Sequence, residues 1–359
     1  MFRRESEAET RVTRRNADRP LRNMLVTGGC GFIGANFVNQ FVRDHPEVHV
    51  YNLDKMDYCA NERSIEVADA ANYHFVRGDI GNTDLVMHLF NTYDIDTVVN
   101  FAAQSHVDNS FGNSMTFTKN NVLGTHNLLE CARVYNKIEK FIHVSTDEVY
   151  GEVEQSQQEH ATLNPTNPYA ATKAAAEFIV KSYTMSFGLP CIITRGNNVY
   201  GPYQYPEKVI PRFAMLLCAG KKMTIQGSGN NTRTFIHASD VASAFATIVE
   251  KGILGEIYNI GCRDAHSVRE IAERACGLLA PGRPLDEMIT YVPDRDFNDQ
   301  RYDIDSDKLK ALGWEQKVDF DEGFKRTIEW YKKALGEGFW PSIKMEISTG
   351  AVDHPQSAH

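Results

Sequence analysis

The sequence has no apolar run approaching bilayer-spanning length, no close cysteine pair and no surplus of positive charge. The first absence leaves no candidate transmembrane helix. The seven cysteines (Cys30, Cys59, Cys131, Cys191, Cys218, Cys262 and Cys276) are scattered and odd in number. That pattern argues against a disulfide framework or zinc site and for reduced thiols in a cytoplasmic compartment. The twelve histidines have no metal-ligand spacing, so no metal is expected. A formal net charge of -9 argues against a general nucleic-acid binder, which needs a basic face to neutralise phosphates. Internal repeats and low-complexity segments are also missing.

What remains is a chain of 359 residues with 42% hydrophobic and 24% charged residues, the balance of a globular enzyme with a large core. Residues 1–22 hold seven arginines and four acids but almost no large apolar side chains, and are expected to form a disordered tail. They lack the apolar centre of a secretory signal, and the acids argue against a transit peptide.

Met24-Leu25-Val26-Thr27 reads as a strand that runs into Gly28-Gly29-Cys30-Gly31-Phe32-Ile33-Gly34 and then a helical pattern. Glycines there permit a tight turn, close approach of backbone to a pyrophosphate, and helix-on-strand packing. The phosphates would sit at a helix N-terminus. Asp54 follows twenty residues beyond Gly34, at the end of another apolar strand. A carboxylate there accepts hydrogen bonds from a ribose and repels a 2′-phosphate, which selects NAD over NADP. Asp79 closes the strand Tyr73–Arg77, facing the adenine or beginning a turn. Thr97–Ala103 is a further buried strand ending in small residues, over which a cofactor can pass.

Phe141-Ile142-His143-Val144 leads into Ser145-Thr146-Asp147-Glu148-Val149-Tyr150-Gly151, which sets two adjacent carboxylates beyond a buried strand. In open α/β sheets, ligands bind outside such strand ends. Long amphipathic helices are expected over Met115–Tyr135 and Tyr169–Phe187. The second is punctuated by Asn167 as N-cap, Pro168 at the first position and Gly188 beyond the end. Tyr169 and Lys173 then lie one turn apart, and the ammonium is expected to lower the phenol pKa toward neutrality. Strand–helix alternation from Met24 to Arg195 predicts an α/β fold with a Rossmann-type doubly wound parallel sheet. Residues 23–195 form the dinucleotide-binding domain. Residues 196–335 form a smaller C-terminal α+β substrate lobe, partly interleaved with it, and 336–359 a frayed tail. Lys208, Arg233 and Arg295 are candidates to clamp a diphosphate.

Together these marks resemble the extended short-chain dehydrogenase/reductase superfamily. Within it, Thr146-Asp147-Glu148 before Val149-Tyr150-Gly151 is similar to the nucleoside-diphosphate-glucose 4,6-dehydratases, as are Ser105-His106-Val107-Asp108, Asn197–Pro202 and Pro206-Glu207-Lys208. The resemblance implies cofactor contacts from Gly28, Gly31, Phe32, Ile33, Gly34, Asp54, Asp79, Ile80, Ala102, Ala103, Tyr169 and Lys173. It implies substrate contacts from Ser105, His106, Asn197, Lys208, Val209, Thr224, Gln226, Arg233, Asn259, Arg295 and Asn298. Catalysis would rest on Thr146, Asp147, Glu148, Tyr169 and Lys173, with Asp147 as acid and Glu148 as base. Thr224 and Gln226 stand where bacterial dTDP-glucose enzymes carry Pro and Tyr, and Asn298 where they carry His. That departure counts against thymidine. The Arg295–Tyr302 run is similar to plant-type UDP-glucose dehydratase domains and to the animal relatives of the dTDP enzymes, which favours UDP-glucose as substrate, with dTDP-glucose the alternative. A homodimer joined through the two long helices is also implied. A sugar-nucleotide epimerase, a UDP-glucuronate decarboxylase and a non-catalytic NAD-binding scaffold are more remote readings.

Overall fold

In the computed structural model, residues 20–152, 156–293 and 303–340 are described. The expectation for the N-terminal tail and the substrate candidates Arg295 and Asn298 lie outside or almost wholly outside them. Seven strands form one sheet. They are β1 (Asn23–Thr27), β2 (His49–Asp54), β3 (Tyr73–Arg77), β4 (Thr97–Asn100), β5 (Lys140–Thr146), β6 (Cys191–Gly196) and β10 (Ile257–Ile260). Their order is β10-β6-β5-β4-β1-β2-β3, and every pairing is parallel. Parallel strands are covered on both faces, which explains why β1 and β4 are apolar runs rather than alternating ones. Met24 and Val26 enter one core layer and Leu25 the other. Sequence order reverses on either side of β1, so the crevice beyond its carboxyl end is a topological switch point.

The helix Phe32–Asp44 starts directly after Gly31 and buries Phe37, Val38, Phe41 and Val42. Phe37 meets Phe245 of the helix Ala238–Lys251 edge-on at 6.2 Å between ring centres. The chain therefore returns from its second half to cover the sheet, and β10 extends it beside β6. The remaining strands form two small sheets. One joins β11 (Ala265–Ser267), β9 (Thr232–His237) and β7 (Asn198–Tyr200), and the other joins β12 (Ile289–Val292) and β8 (Met223–Gln226).

The first long helix is less regular than its pattern predicts. Ser114–Phe117 and Thr125–Tyr135 are α-helical, but Thr118–Gly124 between them is a π-turn. The second runs from Pro168 to Phe187 with the expected punctuation: the Asn167 side chain accepts from the Ala170 amide, and Gly188 is left-handed. At the carboxyl end, the helix Phe320–Gly336 is followed by Phe339 and Trp340, both buried. Packing thus continues past the expected boundary at Leu335, because these rings close over Tyr203, Tyr205 and Trp330. Among the described residues, no helix is long and apolar enough to cross a membrane.

Candidate active site

One cleft follows the carboxyl ends of β1, β2, β4 and β5. Gly28, Gly31, Phe32, Ile33, Gly34, Asp54, Asp79, Ile80, Ala102, Ala103, Tyr169 and Lys173 all line it, as do Ser105 and Lys208. The glycine turn is required by packing. Gly28 has φ +70, and a Cβ there would come within 2.7 Å of Ala102 backbone atoms; one on Gly34 would come within 2.4 Å of the Gly28 carbonyl. Gly28, Gly31 and Gly34 themselves line the cleft where the helix Phe32–Asp44 begins, a cradle suited to an anion. Asp54 is positioned by its own loop: Oδ2 accepts from the Cys30 amide at 2.9 Å and Oδ1 from Met56 at 2.8 Å. Its pKa is raised by burial, which those two amides oppose.

Beyond β5 the chain turns through a single 3-10 segment, Asp147–Tyr150, whose cap is Thr146. The Asn197 side-chain amide donates to Asp147 Oδ2 at 2.6 Å, and Asn167 donates to Glu148 Oε2 at 2.9 Å. Asp147 is buried and Glu148 half-buried. Burial, then the neighbouring Glu148 charge, push the Asp147 carboxyl up to about 7, while Asn197, Thr146 and Arg233 pull the other way. The pair is thus split: one carboxyl keeps its proton near neutrality beside a more accessible partner.

Tyr169 and Lys173 are buried on the adjacent helix. The expected lowering of the tyrosine pKa does not hold in this state. Burial and the Glu148 charge drive it upward, with only a hydrogen bond to Thr146 opposing, and Lys173 does not outweigh them. Lys173 Nζ instead donates to the Val144 carbonyl at 2.5 Å, and burial lowers its pKa to about 8.

The remaining substrate candidates divide. Asn197 contacts Asp147, and Arg233 on β9 is close enough to act on it electrostatically. Thr224 and Gln226 share the more open face of β8, alternating with buried Met223 and Ile225. His106 is buried at the start of the Val107–Gly112 helix, and Val209 opens the helix Val209–Cys218. Asn259 is fully buried; its Oδ1 accepts from the Tyr150 hydroxyl at 2.9 Å and its Nδ2 donates to the Gln157 carbonyl at 3.1 Å. Its polar atoms are spent inside the protein, away from the cleft lining. Several cleft residues were not singled out from sequence. Gln104 Nε2 donates to Asp57 Oδ2 at 2.6 Å, and Lys55 Nζ donates to Asn120 Oδ1 at 2.6 Å. The Tyr58 hydroxyl donates at 2.8 Å to Glu207, which lines the cleft. Glu207 stood inside a quoted motif, but nothing marks Asp57, Gln104 or Asn120 without the fold that joins them.

Known proteins resemble this chain over most of its length. The family model described as GDP-mannose 4,6 dehydratase matches residues 25–327. A trifunctional UDP-glucose 4,6-dehydratase/UDP-4-keto-6-deoxy-D-glucose 3,5-epimerase/UDP-4-keto-L-rhamnose-reductase of Arabidopsis thaliana is 46% identical over 340 residues, covering 93% of this chain and 50% of that protein. The chain thus spans about half the length of that relative. A dTDP-D-glucose 4,6-dehydratase of Homo sapiens is 47% identical over 331 residues, covering 91% and 94%. The crystal structure of a dTDP-glucose 4,6-dehydratase from Streptomyces venezuelae, with NAD bound, superposes with a TM-score of 0.83 at 38% identity, covering 88% and 98%.

Proposed function

Because the chain belongs to the GDP-mannose 4,6-dehydratase family, we propose that it removes water across C5 and C6 of a nucleotide-activated glucose, giving a 4-keto-6-deoxy sugar. The observation that carries this reading is the Asp147–Glu148 pair, with one carboxyl held protonated to about 7 and both acting on the Tyr169 phenol. NAD fits the glycine cradle and Asp54, and when held there supplies a hydride acceptor for C4 that is a donor to C6 afterwards.

The chain's own residues account for the proton movements. The C5 hydrogen of glucose is not acidic until C4 is a ketone. As the tyrosinate, Tyr169 takes the O4 proton as C4 is oxidised, with Thr146 sharing the charge at that oxygen. Lys173 favours the tyrosinate, since an ammonium nearby stabilises the charged phenol. Glu148 then removes the C5 proton and Asp147 protonates the departing O6 hydroxyl, and Glu148 returns its proton to C5 as C6 is reduced. An epimerase has no use for two adjacent carboxyls at this position. Lys208 and Arg233 supply positive charge for the diphosphate.

UDP-glucose is the substrate we favour, supported by Thr224 and Gln226 on the open face of β8. Matched hydrogen bonds to the base are worth about 1–3 kcal/mol, or roughly 10- to 100-fold in efficiency. Steady-state turnover of UDP-glucose and dTDP-glucose, followed by the alkaline ultraviolet absorbance of the keto product, tests both levels. Higher kcat/KM for UDP-glucose is expected. Better turnover of dTDP-glucose reverses the base preference, and no keto product from either removes the dehydratase reading. The two long helices also leave Met115, Leu123, Phe178, Met185 and Phe187 exposed, an apolar surface suited to a second copy of the chain.

A further inference from the structure

Tyr169, Lys173 and Glu177 follow at four-residue spacing on the Pro168–Phe187 helix, which places them on one face. Glu177 is fully buried, and Arg195 of β6 is 1% exposed. Arg195 grips the Glu177 carboxylate through Nε, at 3.0 and 3.2 Å, and through Nη2 at 2.6 Å. Its Nη1 donates to the Tyr150 hydroxyl at 2.7 Å and to the Glu159 carbonyl at 3.0 Å. The guanidinium also lies 4.7 Å from the centre of the Tyr150 ring. Tyr150 is the last residue of the segment that bears Asp147 and Glu148, and its hydroxyl donates to Asn259 on β10.

A single buried ion pair therefore joins the helix carrying Tyr169 and Lys173 to the turn carrying both carboxyls. Such a pair is a poor device for stability alone, because desolvating two charges offsets most of their attraction. A bidentate guanidinium fork does fix orientation.

We propose that Arg195 and Glu177 are a positioning pair: Glu177 stands one turn from Lys173 as the counter-charge of its ammonium, and Arg195 holds the Asp147–Glu148 turn through Tyr150. The catalytic meaning of this pair rests on the dehydratase reading above. The groups around Lys173 leave Glu177 as its sustaining charge. Val144 contributes only a carbonyl, Tyr169 stays neutral, and His143 on β5 is fully buried with its pKa pushed down. Arg195 is committed to Glu177, and Asp147 keeps its proton to about 7. Glu148 lies beyond Tyr169 and acts on that phenol. Burial lowers the Lys173 pKa and Glu177 opposes it.

Two measurements test the pair. In full-length protein with isotope-labelled lysine, the Lys173 resonance is assigned by its loss in Lys173→Met and titrated by NMR. Glu177→Gln is expected to lower its midpoint by about 1 pH unit, and Glu177→Asp to restore it. An unmoved midpoint in a Glu177→Gln protein that melts cooperatively overturns the Glu177 half. This readout needs no substrate, so it stands even where neither nucleotide sugar turns over. Tyr150→Phe removes one hydroxyl and keeps the ring. It is expected to lower kcat about 10- to 100-fold with KM unchanged, slowing water loss but not C4 oxidation. Parental kcat in Tyr150→Phe overturns the Arg195 half, while the parent's own turnover separately judges the dehydratase reading.

Discussion

The side-chain amide of Asn197 donates to Oδ2 of Asp147 across 2.6 Å, where Asp147 is only 3% exposed. The bond favours the ionised carboxylate, yet burial and the Glu148 charge prevail and the proton is held to about 7. An acid is thereby kept ready at neutral pH, at a cost in folding stability that can be measured.

Asp147→Asn should make the protein more stable at pH 8. The unfolded chain releases the Asp147 proton near the ordinary value of 3.8, whereas the folded chain keeps it to about 7. Between those values the folded state binds more protons, so the parent loses stability as pH rises through the window. Below about pH 4 the parent and the variant should melt alike in this respect. Above pH 7 the variant should melt a few degrees higher, about 1–2 °C per kcal/mol for a chain of this size. Thermal melts at pH 4 and pH 8 check this, and an equal difference at both would show that Asp147 ionisation is not its source.

The two carboxyls should separate by isotope exchange. Glu148→Gln removes the C5 base and leaves C4 oxidation, so NADH absorbance should build up with substrate while solvent deuterium stays out of C5. Asp147→Asn should keep both NADH formation and C5 exchange but lose water about 10²- to 10⁴-fold more slowly. The opposite exchange pattern would swap the acid and base assignments. Normal turnover in both would leave the pair without a catalytic role.

Tyr169 should remain a neutral phenol in protein freed of cofactor. Burial and Glu148 raise its pKa, so the difference in ultraviolet absorbance between parent and Tyr169→Phe should show no tyrosinate below about pH 10. Tyrosinate absorbance near neutrality in the free protein would mean that Lys173 prevails. With cofactor and substrate present, Tyr169→Phe should give no NADH signal, since the first proton transfer is blocked.

The exposed helix face yields a mass measurement. Phe178 is 60% and Met185 84% exposed on the Pro168–Phe187 helix. Replacing both by Glu should convert a dimer to a monomer in light scattering at micromolar concentration. A parent that is already monomeric would contradict the interface.

Much of this site was legible because local signals agreed with one another. Gly28, Gly31 and Gly34 lie between a strand and a helix, and Asn167, Pro168 and Gly188 bracket the helix that carries Tyr169 and Lys173. Electrostatics were less readable. Spacing puts Lys173 one turn from Tyr169, but it carries no measure of burial or of how closely Glu148 approaches, and those decide the phenol pKa. Contacts that join distant segments were not readable. Asp57 meets Gln104 only because β2 and β4 flank β1 and their carboxyl ends face the same crevice. Tyr203 adopts a left-handed backbone, φ 73, where its ring packs against Trp330 and its hydroxyl bonds to Glu66. A non-glycine residue is held there by tertiary contacts that no local pattern records.

The π-turn at Thr118–Gly124 also sets a rotational phase. Asn121 within it binds both backbone groups of Gln104 at the cleft, while Val134, more than two turns further along, looks outward. Each residue of an α-helix advances about 100° around its axis. Deleting one residue from the turn would therefore swing everything after it by roughly that angle, taking Leu128, Leu129 and Ala132 out of the core. The wide turn works as a fixed angular offset between the wall of the cleft and the outer surface of the molecule.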